Sequence, residues 1–150
     1  LDGFLKKAKD FGYRVKLDTN GALPGVVSSV IDKGLVDYVA VDYKAPAALY
    51  PKLCGTGADA GQVQKTIEIL LRSGVLFEVR TTVVPQLGMD ELTAMAKELP
   101  PLPRYVLNRY RVPQGYKPAD EPLVSAPAPS PGRLCEYAEK IKAWQPNVIC

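Results

Sequence analysis

Three short apolar segments of this sequence each end in polar residues with the functional groups to bind a small molecule. The segments span residues 15–21, 36–46 and 77–85. In a parallel α/β barrel, ligands bind at the carboxyl ends of the strands. The polar residues at these ends are Asp18, Thr19, Asn20, Asp42, Lys44, Thr81 and Thr82. Their recurrence predicts a small-molecule site at one rim of a parallel sheet.

Two of these residues, Asp18 and Asp42, are carboxylates one β/α unit apart. A pair of carboxylates on one rim can bind a small cation, accept hydrogen bonds from an ammonium group, or divide acid and base roles. The Asp-Thr-Asn-Gly run that begins at Asp18 is also favourable turn and helix-capping sequence. A purely structural role for Asp18 therefore stays open.

Lys44 follows Asp42 by two residues, so the two side chains share a face of the strand. A lysine there can pair with a carboxylate, or form a Schiff base if it is desolvated. The alternative is a simple surface ion pair between Lys44 and Asp42, which contributes little energy.

Arg80 lies in the middle of an apolar strand. Alternation places Glu78, Arg80 and Thr82 on one face of that strand. A charge at such a position must be paired or face a ligand. Glu78 is one possible partner, and a residue of a neighbouring strand such as Asp42 is another.

Arg109 and Arg111 end the strand that begins at Tyr105. Arginine at a strand end is suited to carboxylate or phosphate recognition, and the alternative is a solvated loop charge.

The absence of histidine excludes a histidine base within this sequence. Cys54, Cys135 and Cys150 form no Cys-x-x-Cys pair, and their odd number and wide spacing argue against a disulfide framework. We therefore expect free thiols and a reducing cytoplasm.

The overall charge of +3 is too small to indicate nucleic-acid binding. No apolar stretch approaches the roughly 20 residues of a membrane span. The sequence begins at Leu1, without methionine and within a predicted helix. From this we expect a fragment whose N-terminal part is missing.

Helical and strand patterns alternate along the chain and predict one α/β domain over residues 1–150, with a parallel sheet covered by helices. The predicted strands cover 13–18, 36–41, 75–84, 105–110 and 148–150, with helices at 1–11, 24–33, 63–73, 89–99 and 134–144. The proline-rich segment 112–133 is predicted to be an extended surface loop. Five strands indicate half of a barrel, a partial barrel or an open doubly wound sheet.

A half barrel exposes its inner face unless something covers it. We expect that face to carry Leu17, Val39, Val41 and Val79. An apolar patch of this kind predicts that the isolated chain self-associates, by pairing strand edges or swapping elements.

The runs at 16–21, 36–46 and 80–85 together resemble the radical S-adenosylmethionine activating enzymes. The likeness is closest to the anaerobic ribonucleoside-triphosphate reductase activating proteins, followed by the pyruvate formate-lyase activating enzymes. It covers most of the chain, with the three runs in the family's order.

The resemblance implies the C-terminal half of a partial (β/α)₆ barrel that binds S-adenosylmethionine at its strand ends. By position, Asp18, Asp42 and Lys44 correspond to cofactor contacts of the family. Thr19 and Arg80 are predicted as further contacts beside them, and Arg111 stands where a residue near the adenine and ribose is expected.

The sequence departs from the family in one large respect. The Cys-x-x-x-Cys-x-x-Cys loop that binds a [4Fe-4S] cluster and the Gly-Gly-Glu motif are not found in these 150 residues. Three thiolates are needed to hold such a cluster. We therefore expect the cluster to be bound by residues outside this chain, and the chain alone to be inactive.

The resemblance implies that the parent protein reductively cleaves S-adenosylmethionine to a 5′-deoxyadenosyl radical. This radical would abstract a glycine hydrogen from a partner glycyl radical enzyme of the anaerobic ribonucleotide reductase or pyruvate formate-lyase type. The electron donor would be a flavodoxin or ferredoxin. Two alternatives stay open: a Schiff-base lyase of the aldolase type that uses Lys44, and a non-catalytic half barrel that binds a nucleotide-like ligand or a protein.

Overall fold

A computed structural model describes all 150 residues, in which five β-strands alternate with helices. The strands are β1 (Lys16–Thr19), β2 (Tyr38–Asp42), β3 (Leu76–Val83), β4 (Tyr105–Arg109) and β5 (Val148–Ile149). The helices are α1 (Asp2–Asp10), α2 (Pro24–Asp32), α3 (Tyr50–Cys54), α4 (Ala60–Ser73), α5 (Met89–Glu98), α6 (Glu121–Val124) and α7 (Pro131–Ile141). All ten predicted elements are present, whereas α3 and the short α6 were not predicted.

The five strands form one parallel sheet in the order β1-β2-β3-β4-β5. Because each crossover moves one strand further in the same direction, right-handed connections place the helices on one face of the sheet. A doubly wound sheet would reverse direction and carry helices on both faces. The sequential order is that of a barrel wall, which confirms the predicted parallel sheet with outer helices and favours the partial barrel.

Local chemistry sets the helix boundaries. The Asp59 side chain accepts a hydrogen bond from the Gly61 amide at 2.8 Å and caps the start of α4. That helix ends at Gly74, whose φ of +74° is favourable for glycine. Pro24 begins α2, since proline fits the first turn of a helix.

The apolar side of the sheet faces the helices and forms the core. Val39, Val41 and Val79 are fully buried in a single hydrophobic cluster, and Leu17 packs against it. Our prediction that these residues line an exposed inner face is therefore wrong. The apolar stripes of α2, α4, α5 and α7 need an apolar partner surface, and this side of the sheet supplies it. Self-association stays a prediction, now without the apolar patch as its basis.

The side of the sheet without helices is polar. Toward the amino ends of the strands, Glu78 of β3 accepts hydrogen bonds from Lys16 Nζ (3.3 Å), Tyr38 Oη (3.2 Å) and Arg104 Nε (3.0 Å). Burial by itself would raise the pKa of Glu78, but these three donors outweigh it and hold the pKa below its ordinary value. The carboxylate is thus ionised and satisfied within the sheet face.

Cys135 of α7 and Cys150 form a disulfide, with their Cα atoms 5.4 Å apart. The prediction of three free thiols is therefore wrong for this pair. Spacing along the sequence was a poor guide, because α7 and β5 run in opposite directions and the chain returns past Cys135. Cys54 alone is free.

The proline-rich segment 112–133 lies mostly exposed, but it is not wholly extended. It contains a 3₁₀ turn at Pro118–Asp120, then α6, and its last residues begin α7. Gln86 Nε2 and Tyr110 Oη hold it to the barrel wall by donating to the carbonyls of Leu123 and Val124. None of the helices combines the length and apolar character of a membrane span.

Candidate functional site

Four charged side chains meet at the carboxyl ends of β1, β2 and β3. Arg80 Nη1 lies 2.6 Å from Asp18 Oδ1, and Arg80 Nη2 lies 3.0 Å from Asp42 Oδ1. Arg80 Nε also donates to Asp42 Oδ1 at 3.2 Å. Lys44 Nζ lies 4.0 Å from Asp42 Oδ2. We call Asp18, Arg80, Asp42 and Lys44 the charge ladder.

The register of the sheet produces this arrangement. Asp42 pairs directly with Arg80, while Asp18 lies opposite Ala40, two positions earlier on β2. Because residues two apart share a face, Asp18, Ala40, Asp42 and Arg80 all lie on the side without helices. Ala40 is small and fully buried, so the long Arg80 side chain can extend over β2 to Asp18. The alternative that Arg80 pairs with Glu78 does not hold.

The ladder is electrostatically balanced, with two carboxylates and two cations. Burial by itself would lower the pKa of Arg80, but hydrogen bonds and charge from Asp42 and Asp18 outweigh it and raise the pKa. The Arg80 guanidinium lies between the two carboxylates, where a small cation shared by them would sit. No three acidic or cysteine side chains in the chain come together as a metal site.

The ladder borders a cleft of about 570 Å³ above the sheet. Its wall consists of Asn20, Ala22, Asp42, Lys44, Tyr50, Leu53, Cys54, Gly57, Ala58, Asp59, Gln62, Val63, Arg80, Thr82, Val84 and Gln86. The mixture of apolar surface and a few charged groups at one end is typical of a small-molecule site.

The predicted site residues fall into two groups. Asp42, Lys44 and Arg80 line the cleft, and Asp18 joins them through Arg80. Thr19 and Arg111 do not line it. Their predicted cofactor contacts are not tested by this geometry and stay predictions.

The Asp-Thr-Asn-Gly run also builds a turn, as the structural alternative predicted. Thr19 Oγ1 accepts from the Gly21 amide, and Asn20 Oδ1 accepts from the Ala22 amide, both at 3.1 Å. Thr66 Oγ1 of α4 donates to the Gly21 carbonyl at 2.7 Å, so the turn is tied down beneath α4. Thr19 and Asn20 thus have a structural role in the turn, while Asp18 points into the ladder.

Sequence reasoning missed three residues at the cleft: Tyr50 in its wall, and Tyr43 and Glu98 behind it. Tyr43 Oη donates to Glu98 Oε2 at 2.6 Å, and Tyr50 Oη accepts from the Lys44 amide at 3.3 Å. Burial raises the pKa of Tyr50 to about 12, so its phenol is neutral and can act as an acceptor here. Alternation along β2 indicated that Tyr43 would point to the core, but no local signal indicated Glu98.

The cysteines do not fit a four-iron cluster. Cys135 and Cys150 are bonded to each other, which leaves Cys54 as the one thiol at the cleft. Burial raises the pKa of Cys54, an effect that the charge of Lys44 opposes. An iron-sulfur cluster needs several thiolate ligands. These residues therefore cannot hold such a cluster, and no step of a mechanism is assigned to one.

A protein of Methanocaldococcus jannaschii, named as a candidate glycyl-radical enzyme activating enzyme, is 31% identical to this chain over 148 residues. The alignment covers 95% of this chain. The chain is thus similar to a glycyl-radical enzyme activating enzyme over nearly its whole length. This confirms the resemblance to the radical S-adenosylmethionine activating enzymes. The chain spans 60% of the length of its archaeal relative.

A solved structure has the same fold as this chain. It is a domain of a pyruvate-formate lyase-activating enzyme from Bacteroides vulgatus, with a TM-score of 0.72. The two structures share 15% sequence identity, and the superposition covers 96% of this chain and 84% of the solved one. No family model matches the sequence.

Proposed function

We propose that this chain forms the S-adenosylmethionine-binding wall of a glycyl-radical activating enzyme. The observation that carries the proposal is the charge ladder at the carboxyl rim of a barrel wall, in a chain similar to a glycyl-radical enzyme activating enzyme. When bound and reduced, S-adenosylmethionine supplies a carbon radical able to remove a hydrogen atom from a glycine.

The ladder offers complementary groups for the polar parts of that molecule. Its methionine end carries an ammonium and a carboxylate, and its ribose carries two hydroxyls. Lys44 can donate to a carboxylate or a ribose oxygen, while Asp42 and Asp18 can accept from an ammonium or a hydroxyl. Apolar wall residues such as Leu53 and Val63 suit the remaining, less polar surface.

Arg80 keeps the two carboxylates in place before a ligand arrives. Without its guanidinium, Asp18 on β1 and Asp42 on the neighbouring β2 would repel each other. Preorganised charges lose less conformational freedom on binding, which favours affinity. A small cation at Asp18 and Asp42 is also part of the proposal, and it would require Arg80 to move from between them.

Calorimetric titration of S-adenosylmethionine into the chain tests the binding site. Loss of one charge-assisted contact costs about 1.5–3 kcal/mol, or roughly ten- to a hundredfold in affinity. We expect that loss for Lys44→Ala and for Asp42→Ala. Lys65→Ala is the matched control, because Lys65 is exposed on α4 and outside the cleft. Wild-type affinity in both site variants would show that these residues do not bind the ligand.

The wider activity is proposed from the family. The partner would be a glycyl radical enzyme of the anaerobic ribonucleotide reductase or pyruvate formate-lyase type, with reduction by a flavodoxin or ferredoxin in the cytoplasm. The test is electron paramagnetic resonance on the full-length gene product mixed anaerobically with each partner. A glycyl radical signal that depends on S-adenosylmethionine is expected with one of them, and none with either would contradict the activity.

The Schiff-base alternative has no support from the geometry. Half of the Lys44 side chain is exposed, and its nearest charged neighbour is the Asp42 carboxylate. A nucleophilic lysine needs desolvation or a neighbouring cation. Lys44 is half exposed and its charged neighbour is a carboxylate, so it has neither. Borohydride with a carbonyl substrate should therefore leave Lys44 unmodified.

A further inference from the structure

Tyr43 is fully buried between two residues of the charge ladder, the half-buried Asp42 and the exposed Lys44. Its backbone is held by β3 on both sides: the Tyr43 amide donates to the Arg80 carbonyl at 2.9 Å, and Thr81 Oγ1 donates to the Tyr43 carbonyl at 2.6 Å. These contacts fix the position at which β2 ends.

The Tyr43 side chain is also held by hydrogen bonds. Its hydroxyl donates to Glu98 Oε2 at 2.6 Å and accepts from Gln64 Nε2 at 3.1 Å. Burial is the main cause that raises the pKa of Tyr43, with the hydrogen bond to Glu98 adding to it, so the phenol stays protonated and donates. Tyr43 thus connects β2 to both α4 and α5.

Glu98 also holds the chain just beyond the ladder. The Ala47 amide donates to Glu98 Oε2 at 3.0 Å and Oε1 at 3.2 Å. One carboxylate at the end of α5 therefore fixes the connection on both sides of Lys44, at Tyr43 and at Ala47. The Lys44 amide is further held by Tyr50 Oη.

We propose that Glu98, acting through Tyr43 and Ala47, is a positioning residue that sets where Lys44 stands in the cleft. Glu98, Tyr43 and Ala47 are all outside the cleft wall, so Glu98 acts on it through this connection. The carboxylate suits the task because its two oxygens can accept from both donors at once. Naming S-adenosylmethionine as the ligand rests on the proposed function, whereas the positioning itself does not.

Amide hydrogen exchange on the chain tests the positioning directly. In Glu98→Ala, the Ala47 amide loses its acceptor, so faster exchange of that amide is expected in any case and does not test positioning. The informative amide is that of Lys44, whose own acceptor Tyr50 is unchanged. We expect the Lys44 amide to exchange at least about fivefold faster, because the chain on both sides of it loses a hydrogen bond to Glu98 and one such bond of ordinary strength corresponds to about that factor. Glu98→Gln keeps an accepting oxygen and should restore most of the protection.

The control separates positioning from general destabilisation. Glu68→Ala removes a carboxylate from the exposed side of α4, where it pairs with Arg72 alone. It should leave the Lys44 amide unchanged. If Glu98→Ala leaves the Lys44 amide unchanged, or accelerates it no more than the buried Ile67 amide of α4, the proposal is wrong.

Calorimetry in two backgrounds tests the consequence for binding. We expect Glu98→Ala to weaken S-adenosylmethionine binding about three- to tenfold in the wild-type chain, and less than about twofold when Lys44 is already alanine. Equal losses in both backgrounds would refute action through Lys44. If Lys44→Ala itself changes nothing, the proposed function fails, and the exchange result decides the positioning alone.

Discussion

Replacing Glu78 by glutamine should remove the ion cluster that Glu78 forms with Lys16 and Arg104 on the open face of the sheet. Only 11% of its side chain is exposed, and it accepts from Lys16, Tyr38 and Arg104. Glutamine has nearly the same shape, but it brings no charge and points an N–H₂ group toward groups that are themselves donors.

The size of the effect follows from the exposure of the partners. A hydrogen bond to a charged group contributes about 1.5–3 kcal/mol when shielded from water. Lys16 and Arg104 are about half exposed, at 47% and 51%, so solvent weakens both ion pairs. We therefore expect Glu78→Gln to lower the free energy of unfolding by about 2–3 kcal/mol at pH 7, well below the sum of three shielded bonds.

The pH dependence gives the prediction its sign. The pKa of Glu78 is lowered in the folded protein, because its three donors outweigh the opposing effect of burial. A carboxylate of this kind adds stability above its unfolded pKa of about 4.3, and this is lost as the pH falls through the lower folded value. The difference between wild type and Glu78→Gln should be full above about pH 5 and shrink at lower pH.

Urea unfolding followed by circular dichroism at pH 7, 5, 4 and 3 measures this difference. Glu68→Gln is the control, because its pair with Arg72 is exposed and one turn apart on α4, with an expected loss under about 0.5 kcal/mol. The reasoning is refuted if Glu78→Gln is as stable as wild type at pH 7, or if its deficit persists undiminished at pH 3.

Three further substitutions test other contacts, each by thermal or urea unfolding. Gly21→Ala should cost about 2–3 kcal/mol, because φ is +70° and a Cβ atom would lie 2.9 Å from Val63 Cγ1; Gly12→Ala, at φ +81° but in open space, should cost about 1 kcal/mol. An equal loss in both variants would count against the close contact. Cys135→Ser should cost about 3 kcal/mol under oxidising conditions and nothing in reductant, given a 15-residue loop; a cost that persists in reductant would exclude the disulfide as its cause. Gln145→Leu should cost at least about 2 kcal/mol, because its amide group satisfies three carbonyls and one amide around the end of α5; wild-type stability would show that water replaces it.

The order of helices and strands was predictable because its signals are local. Pro24, Gly34 and Gly74 mark the ends of helices through backbone restrictions that act within a few residues. The near-continuous apolar run before Asp42 was enough to place a buried strand. Short helices such as α3 lack a full period of apolar residues, so the pattern did not reveal them.

Which face of the sheet would be covered could not be read from alternation. The pattern showed that Glu78 and Arg80 share one face and Val79 the other, and this is confirmed. It did not say which face meets the helices. That depends on the handedness of the crossovers, which places all the helices on one face of the sheet. Together with the polar character of the face that carries Glu78 and Arg80, this rule predicts that Val79 faces the helices.

The site was predictable only where its residues follow one another closely. Asp42 and Lys44 were placed together correctly because they are two residues apart at the end of one strand. The approach of Arg80 to Asp18 depends on register across two strands, and that of Glu98 to Tyr43 on the packing of α5. Contacts between distant parts of a chain leave no trace in a single sequence, and the bond between Cys135 and Cys150 was missed for the same reason.

The strictly sequential order of the strands has a consequence for biosynthesis. Each strand pairs with the one made just before it, so no strand waits for a partner that the ribosome has still to release. The sheet can grow in the direction of translation, one β/α unit at a time. Relatively local pairing of this kind lowers the contact order and favours rapid folding. Among these five strands, β1 is made first and β5 last.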